Sequence, residues 1–82
     1  MRDVSEQLGY AIRTLRRQAG LRQAELAQKA NISRSHISRI EKGKYNMRID
    51  NLADICRALR IEARYLLGFV TVLDPLEKSG PD

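Results

Sequence analysis

The chain has 82 residues, 43% of them hydrophobic and 30% charged, with fifteen Lys and Arg against ten Asp and Glu. That length holds one small domain and no second, and the composition is that of a globular rather than a disordered chain. A formal charge of +5 points to an anionic partner, although solubility alone also accounts for a basic balance.

Other classes fall away on counts. One cysteine and one histidine leave neither a disulfide framework nor a zinc site. Three Tyr, one Phe and no Trp leave little to stack single-stranded nucleic acid on. No apolar run approaches the ~18 residues of a membrane span. The opening residues MRDVSEQLG carry no apolar stretch of a signal peptide, which predicts a reducing cytoplasm.

Taken in order, five helices are expected and no domain of any other class: the fold class is all-α. Leu8, Ile12, Leu15 and Ala19 keep a one-sided helical rhythm from Ser5 to Ala19, and Gly20 supplies a left-handed stop. A second helix runs from Gln23 to Ala30 with Leu26, Ala27 and Ala30 on one face. Asn31 tolerates the left-handed corner that follows. Ser33 caps a third helix reaching Lys42, with Ile37 and Ile40 inward, and Gly43 ends it. A fourth spans Arg48 to Leu59, burying Leu52, Ile55 and Leu59, and a short fifth covers Ala63 to Leu67 before Gly68. Residues 1–68 therefore form the domain. Residues 69–82 form an extension, apolar from Phe69 to Leu73 and loose beyond.

The positive charge is not spread evenly. Arg13 to Arg22 carries four arginines and no acid, and Ser33 to Arg48 carries five cations against Glu41 alone. These two blocks are more informative than the total.

The stretch QAELAQKANISRSHISRIEK, from Gln23 to Lys42, resembles the DNA-binding helix-turn-helix. Ala27 is the small residue that lets the second helix approach the third. Asn31 holds the corner where that motif usually has Gly. Leu26, Ala30, Ile32, Ile37 and Ile40 fill its apolar positions. Such a pair fixes a crossing angle that presents one exposed helix face to a major groove. From Leu8 to Leu67 the chain is similar to the five-helix domain of Cro, phage repressors and Xre-like regulators. The phrase Asn46–Met47–Arg48–Ile49 is similar to that of restriction–modification controller proteins.

The resemblance implies a sequence-specific regulator of transcription that binds double-stranded DNA as a homodimer, without a cofactor. It implies Arg34, Ser35 and Arg39 as base-reading residues, and arginine suits the role because its fork grips guanine O6 and N7 together. Gln23 falls where family members bind a phosphate at a helix N-terminus. Arg22, Ser38, Lys42, Lys44 and Arg48 are expected along the backbone. Arg13 and Arg17 read as a solvated face of the first helix, and His36 as a solvated histidine. Arg16 and Glu41 stand where the family pairs its first and third helices, an ion pair of small net stability. Leu66, Leu67, Phe69, Val70 and Val72 are more apolar than a solvated tail needs and are expected at the dimer interface, or folded back on their own core. Cys56 reads as a small apolar filler.

Three positions depart from the family. Arg22 stands where Ser or Thr would complete a capping box with Glu25, Arg48 where Ser precedes the fourth helix, and Arg60 where Gly usually follows it. Either phosphate-directed charge displaces good caps at Arg22 and Arg48, or these are drifting surface sites. The chain has no glycine-rich phosphate loop, nucleophile elbow or paired-carboxylate site, which argues against an enzyme. The alternative to a regulator is an antitoxin-type module that also binds DNA and holds a protein partner through its C-terminal segment.

Overall fold

The computed structural model describes residues 3–45 and 47–70. Five helices follow one another: α1 (Val4–Gln18), α2 (Gln23–Ala30), α3 (Arg34–Glu41), α4 (Ile49–Leu59) and α5 (Ala63–Leu67). The described part is all-helical, and each boundary lies within one or two residues of its expected position. Ile12, Leu26, Ile37, Ile40, Ile55 and Leu66 are fully buried, so all five helices reach one core. Leu8, Ile32, Leu52 and Leu59 pack around it half-buried.

α1 starts on Asp3, whose carboxylate accepts from the Glu6 N–H at 2.9 Å. α3 starts on Ser33, whose hydroxyl accepts from the His36 N–H at 3.1 Å. Four helices end in the same paired return bonds. After α1, Leu21 N–H reaches Arg16 O at 3.1 Å and Gly20 N–H reaches Arg17 O at 3.0 Å. The residue turning left-handed is Gly20 after α1, Asn31 after α2, Gly43 after α3 and Arg60 after α4, at φ of 75°, 58°, 73° and 59°. Arginine has no relief from the Cβ clash there, which costs about 1–2 kcal/mol.

α1 lies against α3, α2 packs on both α3 and α4, and α5 closes against α1 and α4. Gly9 makes the first of these contacts close. A Cβ on Gly9 would run into the carbonyl oxygen of Ile40 and come within 2.9 Å of that of Glu41. The backbone of α1 therefore sits directly on the last turn of α3, leaving no room for a side chain. Leu66 belongs to this core at 0% exposure, which removes it from the expected dimer interface.

Candidate nucleic-acid interface

α3 is eight residues long and packs from beneath through Ile37 and Ile40. The residues left outward on its first turns are Arg34, Ser35 and Arg39, all exposed, with Ser38 half-buried beside them. The short connection after α2 fixes the entry into α3, because Asn31 turns left-handed and Ile32 N–H returns to Ala27 O at 2.9 Å. Ala27, 4% exposed, lies at the α2 packing face as the small residue of that corner.

His36 is not solvated as expected. Its ring meets Tyr45 edge to face, with centroids 4.3 Å apart and planes at 83°, and its Nε2 is buried without a hydrogen-bond partner. Tyr45 is itself packed against the core, and the Arg39 guanidinium lies 5.8 Å from its ring centre. The sequence carried no local signal for this stack, because His36 and Tyr45 belong to different structural segments.

Beneath the arginine-rich end of α1, Arg16 and Glu41 form the expected pair. Arg16 Nε donates to Glu41 Oε2 at 2.7 Å and Nη2 donates to Oε1 at 3.0 Å. The side chains are 9% and 3% exposed, so both charges are out of water. The Glu41 hydrogen bond holds the Arg16 guanidinium above its ordinary pKa, against the opposing pull of burial. Arg16 Nη1 also donates to Leu21 O at 2.8 Å, tying the turn before α2. Gln23, the first residue of α2, joins the group by donating from Nε2 to Glu41 Oε1 at 3.1 Å. Three elements thus share one carboxylate. One amide hydrogen of Gln23 is engaged inward, and the amide group has a second to offer an external acceptor.

Arg22 and Arg48 are the N-caps of α2 and α4, both exposed and neither making a side-chain cap bond. A guanidinium has no acceptor to offer an amide. The other half of the box does form at α2, where the Arg22 N–H donates to Glu25 Oε1 at 2.7 Å. Lys42 and Lys44 are exposed just past α3.

On the α5 side, Leu67 and Phe69 are 44% and 45% exposed, and Tyr65 is 55% exposed. Tyr65 and Phe69 meet edge to face at 5.5 Å, while Val70 is half-buried. Val72 lies outside the described residues. Cys56 is buried in α4, and burial pushes its thiol pKa up, as suits an apolar filler. Among the described residues no group of His, Cys, Asp and Glu could hold a metal ion, and no helix is long and apolar enough to cross a membrane.

A helix-turn-helix family matches residues 12–66, which span the paired helices and the core around them. The chain belongs to this family of DNA-binding transcriptional regulators. It is 35% identical over 66 residues to the immunity repressor protein of Bacillus phage phi105, covering 80% of this chain and 46% of that protein. It is 34% identical over 65 residues to the control protein C.BamHI of Bacillus amyloliquefaciens, covering 78% and 80% respectively. The crystal structure of the restriction-modification controller protein C.AhdI from Aeromonas hydrophila matches with a TM-score of 0.74 at 34% identity, over 76% of this chain and 94% of that one. The resemblance to repressors and controllers thus holds for the fold and for the regulator class.

Proposed function

We propose that this helix-turn-helix regulator binds double-stranded DNA as a homodimer, each copy laying α3 in the major groove of one half-site. The observation that carries this reading is the face of α3. Arg34, Ser35 and Arg39 stand exposed together on a short helix, capped by Ser33 and seated on Ile37 and Ile40. Arg39 reads a base, most simply a guanine through its fork, with Arg34 and Ser35 beside it. Arg22, Gln23, Ser38, Lys42, Lys44 and Arg48 meet sugar–phosphate on either side and set the register. Residues 1–68 form the DNA-binding domain, and residues 69–82 extend it.

One α3 covers too few base pairs for useful discrimination, which is why two copies one helical turn apart are needed. The exposed Leu67 and Phe69 supply an apolar surface for the second copy, and in the sequence the apolar run goes on through Val70 and Val72. An antitoxin-type partner would compete for that same surface, and no feature of it favours such a partner over a second copy.

The test is Arg39→Ala, titrated at fixed salt on the cognate operator and on singly substituted operators. Base reading predicts a loss of about 1–3 kcal/mol on the cognate site and a flattened preference at one position per half-site. A uniform loss on every operator makes Arg39 a backbone contact and passes the reading role to Arg34 and Ser35.

A further inference from the structure

Two clefts open on the α1 side of the molecule, and they adjoin. One, of about 440 Å³, is lined by Glu6, Tyr10, Arg13, Glu41, Lys42 and Lys44. The other, of about 180 Å³, is lined by Arg13, Arg16, Arg17, Gln23, Glu41 and Lys42. They share Arg13, Glu41 and Lys42, so together they line one trough-like strip between α1 and the end of α3, with Lys44 toward one end and Gln23 toward the other.

Its charge is one-sided. Glu41 is already matched by Arg16, with Gln23 as a further donor. Arg13, Arg17, Lys42 and Lys44 are all exposed, and none of the ion pairs among the described residues uses them. The other carboxylate of the lining is Glu6, at the Lys44 end. The Gln23 end meets the N-terminus of α2, whose dipole adds positive potential. A concave wall of like charges focuses its field outward and costs the folded chain self-repulsion, which a bound polyanion relieves. Arg13 and Arg17, four residues apart in α1, stand side by side on one helix face. That face is one wall of a groove shared with Lys42 and with Gln23, the residue that opens the helix-turn-helix.

We propose that Arg13 and Arg17 bind the phosphodiester backbone flanking the base pairs read by α3, carrying the DNA footprint from the helix-turn-helix onto α1. The inference rests on the DNA-binding reading above and adds two residues that the motif itself does not contain. The guanidinium fork matches two phosphate oxygens at once, so each arginine replaces one condensed counterion when it docks.

The full-length double variant Arg13→Gln/Arg17→Gln, both single variants and the control Arg57→Gln, outside the trough, are titrated across a salt series. The duplexes are the cognate operator and a scrambled sequence. Each trough arginine should lower the slope of log affinity against log salt by about 0.9, and the double variant by about 2. Affinity should fall by the same factor on both duplexes, and Arg57→Gln should keep the wild-type slope. An unchanged slope in the double variant overturns the proposal. So does an equal reduction by Arg57→Gln, which would mark a bulk-charge effect. Because the substituted side chains are exposed, folding is preserved, and a thermal melt of each variant verifies it. Wild-type protein that binds neither duplex refutes the DNA-binding reading itself; wild-type binding with an unaltered double variant refutes only the trough.

Discussion

Arg16 and Glu41 stand 25 positions apart in the chain and meet through two parallel hydrogen bonds of 2.7 and 3.0 Å. The pair joins the late part of α1 to the last residue of α3, and Gln23 ties α2 to the same carboxylate. Its role is therefore geometric: it sets how the helix-turn-helix sits on α1.

Removing one partner leaves the other buried and uncompensated. Arg16→Met should destabilise the fold by roughly 3–5 kcal/mol, because Glu41 then lacks its counter-charge. Replacing both, as Arg16→Met with Glu41→Leu, should recover most of that loss, since buried ion pairs give little net stability over apolar replacements. Denaturant unfolding of the two variants checks this. Equal destabilisation by the single and double variants would mean that the pair is worth more than its desolvation.

Gly9 offers a test in which the usual sign reverses. In a helix interior, Gly to Ala ordinarily stabilises by about 1 kcal/mol. Here the added methyl meets the carbonyl oxygens of Ile40 and Glu41, which are backbone atoms and cannot swing aside. Gly9→Ala should therefore lower stability by about 1–3 kcal/mol, in the manner of an overpacked core. The melting temperature reads the sign directly. A rise would mean that α1 and α3 slide apart without penalty.

Arg22 separates stability from binding. Serine at this N-cap would add the hydroxyl acceptor that the guanidinium lacks, completing the box that Glu25 already half forms. Arg22→Ser should raise stability by about 1 kcal/mol. If Arg22 meets a phosphate, the same change should weaken binding to all duplexes and lower the salt slope by about 1. Thermal melts and salt titrations of one variant decide both. A variant that melts no higher, or binds unchanged, would leave Arg22 as surface drift.

Much of this architecture was legible in the residues taken one at a time. Leu8, Ile12 and Leu15 marked the α1 stripe by spacing, and Gly20, Asn31 and Gly43 marked the ends of three helices by their tolerance of positive φ. Ser33 announced α3, and the inward Ile37 and Ile40 left Arg34, Ser35, Ser38 and Arg39 outward, of which the structure keeps Ser38 half-buried. What was not legible depends on a neighbour distant in the chain. Nothing in the neighbouring residues marks Gly9, because the carbonyls that lie against it belong to α3. Leu66 and Leu67 are adjacent apolar residues, and only the closure of α5 on α1 and α4 decides that the first is core and the second surface. His36 is half-buried against Tyr45, which lies beyond the end of its helix. Arg13 and Arg17 gain a concave setting only when the end of α3 supplies the opposite wall.

The close seat of α1 on α3 also has a direction. It walls off the carbonyl end of α3, where Gly9 lies against Ile40 and Glu41, and leaves the amide end beside Arg34 and Ser35 at the surface. An α-helix carries about half a positive elementary charge at its amide end. The fold thus turns the positive pole of α3 outward and hides the negative one, so the peptide backbone itself contributes attraction toward an anionic partner. That contribution belongs to the polarity of the main chain, and it would survive removal of every basic side chain on the helix.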